Sequence, residues 1–177
     1  MPESFEQMLT GGHHNSLGRT EEVTELCRTD ESRMEELYAT YRSSDAVARM
    51  RVSGAFKRLV REKPERFVRF ADRFLAEIAD LDQASAQWTL ALLIGYSEEH
   101  LSPQQLARAE AVMLRNLREG TDWIVIRNSI EQLGKWAMKD QRLARLMLPE
   151  LERLTAFQGK TVRKVAKDWI TRLAPVG

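Results

Sequence analysis

A loop-to-helix pattern recurs four times along the 177 residues: SSDAVARMRVSGAFKRL from Ser43, LDQASAQWTLALLIG from Leu81, GTDWIVIRNSIEQLG from Gly120 and FQGKTVRKVAKDWITRL from Phe157. With Ala48, Ala86, Val125 and Val162 as equivalent positions, successive copies lie 38, 39 and 37 residues apart. A period of this length marks stacked supersecondary units, each unable to bury its apolar face alone. It therefore predicts an array of like units.

Inside each copy the apolar residues fall at offsets 0, 4, 8 and 11 from the reference position, which is helical spacing. They are Ala48, Val52, Phe56 and Leu59; Ala86, Leu90 and Ile94; Val125, Leu133 and Trp136; Val162, Ala166, Ile170 and Leu173. Other helical segments are expected between them at residues 32–42, 65–79, 103–118 and 141–156, a kink at Pro149 interrupting the last. Ser32-x-x-Glu35 and Ser102-Pro103-x-Gln105 read as capping boxes, and Pro64 and Pro103 stand at or near first helical positions. No segment alternates with period two, so no strand is expected. The prediction is an all-α chain, a single domain overall: residues 31–177 as four helical hairpins, and residues 1–30 as an N-terminal cap. The cap holds a short helix at Ser4–Leu9 begun by Ser4-x-x-Gln7, the loop TGGHHNSLGR, and a helix from Thr20.

These residues also carry a likeness to a known family. The turn Asp, the reference aliphatic residue and the following Arg, seen as Asp45 with Ala48-Arg49 and as Val162-Arg163, resemble the second-helix signature of HEAT repeats. Leu133-Gly134 and Ile94-Gly95 fit its later Leu-Gly. Gln87 and Ile126 depart from the pattern, standing where the Arg belongs. The resemblance spans residues 32–174 and implies a right-handed α-α superhelix whose second helices line an inner curve.

Composition narrows the chemistry. The net charge is +1, and no apolar run approaches the roughly 20 residues needed to cross a bilayer. The opening MPESFEQML lacks a basic segment followed by an apolar stretch, so no secretory leader is expected and the cytoplasm is the expected location. The single Cys27 reads as a buried thiol. His13, His14 and His100 lack converging partners at ligand spacing, so neither a metal nor a cofactor is expected. Gly11-Gly12 has no following Lys-Ser or Lys-Thr and reads as a turn, and no nucleophile-and-base arrangement is present. The chain is not expected to be an enzyme.

Binding is the remaining class. At offset 2 the four copies differ, carrying Met50, Trp88, Arg127 and Lys164, and Trp123 lies one turn before Arg127, within stacking reach of its guanidinium. Trp88, Trp123, Arg127, Arg49, Arg51, Asn128 and Lys164 are the candidate binding residues, with an acidic peptide or protein surface as the partner. The alternative is nucleic acid. Residues 1–40 hold nine acids against three bases, residues 41–80 ten bases against six acids, and residues 139–177 nine bases against four acids. Helical-repeat DNA glycosylases share the implied architecture, but Leu92 and Arg127 stand where such an enzyme would carry its acid. A third reading docks the array end-on through Val165, Trp169 and Leu173 of the last helix. Oligomeric state is left open.

Overall fold

The computed structural model describes residues 3–174, so 175–177 of the expected array lie outside the described residues. The described residues form ten α-helices with short 3₁₀ turns and contain no strand. They divide into two compact units, Met1–His100 and Leu101–Gly177.

The first unit holds α1 (Phe5–Leu9), α2 (Thr20–Thr29), α3 (Met34–Ala39), α4 (Ala46–Glu62), α5 (Val68–Ala76) and α6 (Ala84–Ser97). Helix α4 is its centre, packed by α2 and by α6, with α1 against both α2 and α4. The cap segment is thus part of this unit's core: Phe5, Leu9, Val23 and Cys27 are fully buried. Tyr38, Tyr41, Phe56, Phe70 and Phe74 fill the space beside α4, with Phe56 to Phe74 at 5.0 Å and Phe56 to Phe70 at 5.3 Å in edge-to-face contact. Such pairs add about 1 kcal/mol each beyond the area they bury.

The second unit holds α7 (Pro103–Glu119), α8 (Trp123–Ala137), α9 (Gln141–Leu154) and α10 (Lys160–Leu173). Helix α8 packs against α7, α9 and α10, and α9 also meets α7 and α10. Two antiparallel-type pairs, α7/α8 and α9/α10, follow from the short polar turns between them.

The helix starts are chemically marked. Ser4 with Gln7 and Ser102 with Gln105 form the expected capping boxes, while Asp45, Asp122 and Asp140 accept backbone N–H groups at the starts of α4, α8 and α9. Ser32 does not cap α3. Asp30 accepts from the Ser32 N–H instead and begins a 3₁₀ turn, so the expected helix 32–42 is a short α-helix between two 3₁₀ turns. Residues 64–80 likewise run 3₁₀, α, 3₁₀. Helix α9 runs through Pro149 without interruption, losing one N–H donor.

The apolar stripe read from the repeat is the core stripe. Ala48, Val52, Phe56, Leu59, Ala86, Leu90, Ile94, Val125, Leu133, Val162 and Ala166 are all at most 1% exposed. The stripe's later positions deviate: Trp136, Ile170 and Leu173 are half-buried, whereas Trp169, off the stripe, is buried. Trp169 lies over Gly134, where an added Cβ would stand 2.5 Å from the indole, and its Nε1–H donates to Glu131 at 3.1 Å. The end-on dock therefore loses Trp169, its largest expected residue.

Candidate functional site

The signature positions turn out to hold the repeat's own turns. Arg49 donates from Nη1 to the Ser43 carbonyl at 2.7 Å, and Arg163 from Nη1 to the Phe157 carbonyl at 2.9 Å, each six residues back. Gln87, which breaks the Arg pattern, makes the same contact to the Leu81 carbonyl at 2.9 Å, also six residues back. Ile126 meets Gly120, again six back, where an added Cβ would lie 3.1 Å from the Ile126 side chain. Two arginines and a glutamine thus hydrogen-bond to the carbonyl six residues back, and Ile126 packs at the equivalent place. Arg49 also reaches Gln83 Oε1 at 3.0 Å, tying α4 to the start of α6, so its donors serve packing before any ligand.

Arg51 is likewise internal, at 4% exposure. Its guanidinium donates to the carbonyls of Leu9 (2.6 Å), Gly11 (2.7 Å) and Ser16 (3.1 Å), with His13 at 3.4 Å. It clamps the TGGHHNSLGR loop, in which Gly11, Gly12 and Gly18 take positive φ, and Gly18 leaves no room for a Cβ beside the Arg51 headgroup. Arg51, expected among the binding residues, is turned inward, and its donors are taken up by carbonyls of this loop.

Within each unit, acids and bases from distant parts of the chain meet as ion pairs. Glu31 accepts from Lys63 (3.1 Å) and Arg66 (3.0 Å), Glu35 from Arg73 (2.9 Å), and Glu21 pairs with Arg58 (3.3 Å). Arg28 pairs with Glu62 at 2.7 Å. In the second unit Arg142 pairs with Glu110 and Arg118 with Glu150. Lys63 and Arg66 hold the Glu31 carboxyl below the usual range, and Arg28 does so for Glu62. Each exposed pair contributes at most about 1 kcal/mol. Several bases of the 41–80 stretch, Arg58, Lys63, Arg66 and Arg73, are therefore paired with acids of residues 1–40.

Two places bring aromatic and basic side chains together at the surface. In the first unit a groove of about 340 Å³ is lined by Val47 and Met50 of α4, Ala84 and Trp88 of α6, His14 and Gln83. Trp88 is half-buried, and Lys57 Nζ sits 5.3 Å from its ring centroid. Burial, then Arg58 and Arg61, lowers the Lys57 pKa. Lys57 was not among the residues singled out from the sequence; its position seven residues after Met50, two helical turns on the same side, was the available signal.

In the second unit Trp123 is 45% exposed and Arg127 and Lys164 are exposed, with Asn128 half-buried beside them. A side chain on Gly159 would reach within 3.9 Å of the Trp123 Cβ, so α10 begins next to this residue. Lys160 and Lys164 follow one turn apart on α10, both exposed. Arg127 does not stack on Trp123. Among the described residues Arg127, Lys160 and Lys164 form no ion pair, and α10 carries five basic residues against Asp168 alone.

Cys27 is fully buried, and burial pushes its thiol up to about 12. Among the described residues no three His, Cys, Asp or Glu side chains converge on a metal-sized site, and no helix is long and apolar enough to cross a membrane. His13 and His14 stack on each other at 4.5 Å. No protein family, curated protein or solved structure matches the chain.

Proposed function

We propose that the chain is a HEAT-like helical solenoid that acts as a non-enzymatic binding scaffold and captures an acidic protein or peptide segment. One observation carries the reading. Exposed Trp123 lies next to the start of α10, and Arg127 on its own helix and Lys160 and Lys164 on α10 are exposed cations that pair with no acid among the described residues, unlike Lys63, Arg66 and Arg73 in the first unit. Aromatic and Arg side chains concentrate binding energy, and unpaired cations around an indole complement a carboxylate-rich segment carrying an apolar residue. The repeated turn closures by Arg49, Gln87 and Arg163 support the HEAT-like part of the proposal.

The test is fluorescence anisotropy with a labelled peptide of alternating Glu and Tyr, beside a duplex DNA of equal charge, at moderate salt. Wild type should bind the peptide, Trp123→Ala should weaken binding about thirtyfold, as a hot-spot loss of about 2 kcal/mol gives, and Arg127→Glu with Lys164→Glu should abolish it. Tighter binding of the duplex than of the peptide, or peptide binding unchanged in the double variant, would refute the reading.

A further inference from the structure

The groove between α4 and α6 is separate from the Trp123 surface and has a polarity of its own. At one end Val47, Met50, Ala84 and Trp88 present apolar surface around about 340 Å³ of space. Beyond that lining, the Lys57 ammonium lies over the same indole, 5.3 Å from its ring centroid. Arg61 follows Lys57 by one turn, is exposed, and forms no ion pair among the described residues. Met50 and Lys57 are seven residues apart on α4, so their places on one helix side are separated by about 10 Å along the axis. Trp88 spans the interval, since it lines the pocket with Met50 and also carries the Lys57 ammonium.

That spacing selects an occupant. In a polyproline-type extended segment residues i and i+3 project to the same side about 9 Å apart, because the helix has three residues per turn and a rise of about 3.1 Å. An apolar side chain seated between Met50 and Trp88 then brings the residue three places along over Lys57. We propose that the α4–α6 groove binds an extended peptide segment of the form apolar-x-x-acidic, with the apolar side chain between Met50 and Trp88 and the carboxylate on Lys57. The proposal rests on the binding-scaffold reading but uses different residues from the Trp123 surface. A carboxylate at Lys57 also restores what burial removes: the ammonium is partly desolvated and lies near Arg58 and Arg61, so an anion there relieves both costs.

The experiment is a titration of the isotopically labelled full chain with 12-residue Gly/Ser peptides carrying one Leu and one Glu at separations of one to seven residues, at up to millimolar peptide. The readout is the indole N–H signal of each tryptophan, assigned by single Trp→Phe substitutions. The Trp88 signal should move most for the separation of three, and at least fivefold less when Leu becomes Ser or Glu becomes Lys. Lys57→Glu should exchange the preference, so that the Leu-x-x-Lys peptide moves Trp88 and the Leu-x-x-Glu peptide does not. Because that variant gains a ligand, misfolding cannot account for the result. A stationary Trp88 signal, an optimum at another separation, or an unchanged preference in the Lys57→Glu variant overturns the proposal. The Trp123 signal reports the other surface independently: movement there with a still Trp88 leaves the scaffold reading standing and removes the groove.

Discussion

Replacing Gly134 by Ala should destabilise the protein, although the same exchange inside a free helix is favourable by about 1 kcal/mol. The reason is Trp169. A Cβ on Gly134 would stand 2.5–2.6 Å from three indole carbons, against an optimal carbon–carbon separation of about 3.5–4.0 Å. The ring must therefore retreat by about 1 Å, yet it is 4% exposed, donates to Glu131 at 3.1 Å and carries the Arg172 guanidinium 4.8 Å from its ring centroid. Overpacking of this kind costs about 1–3 kcal/mol, and the loss of free retreat places it near 3. The helix gain offsets about 1, leaving a net loss of about 2 kcal/mol. Urea unfolding followed by circular dichroism should show the midpoint lowered by about 1 M. In a Trp169→Val background the ring is gone, and Gly134→Ala should then stabilise by about 1 kcal/mol. The sign must reverse between the two backgrounds, a coupling of about 3 kcal/mol. Equal effects in both would show that the indole does not require the glycine.

Two other outcomes follow from the N-terminal loop. Arg51→Met keeps the buried stem but strips the donors from the Leu9, Gly11 and Ser16 carbonyls, so stability should fall by about 2–4 kcal/mol and amide exchange protection across residues 10–18 should be lost; retained protection would contradict the clamp. The Asp45 carboxyl is held below the usual range by the Gly11 N–H at 2.7 Å and then the Val47 N–H, so its contribution is complete above the unfolded carboxylate pKa of about 4 and disappears as pH falls through its lower folded value. The Gly11 amide signal should hold its position from pH 7 to about 4, move only below that, and lose the transition in Asp45→Asn.

Much of the architecture was legible because it is local. Offsets of 0, 4, 8 and 11 dictate a helical apolar stripe wherever they occur, and Ala48, Val52, Phe56 and Leu59 are buried as that stripe requires. Ser4 and Ser102 cap their helices because a side-chain oxygen two or three residues from an orphan N–H needs no distant help. Ser32 does not cap for an equally local reason: Asp30, two residues before it, accepts from both its N–H and its hydroxyl and opens a 3₁₀ turn.

The candidate site was less legible, because a charged residue's role depends on what the fold brings to it. Arg49, Arg51 and Arg127 look alike in the sequence. One closes a turn and reaches Gln83, one is buried against carbonyls from residues 9 to 16, and one is exposed. The acidic and basic blocks were visible as composition, but only the stacking of layers joined Glu31 to Lys63 and Arg66. The period thus determined which residues form the core, since burial follows from periodicity within a single helix. Which cations remain unpaired was decided by tertiary structure, because neutralisation requires groups about 32 to 38 residues apart to meet in space.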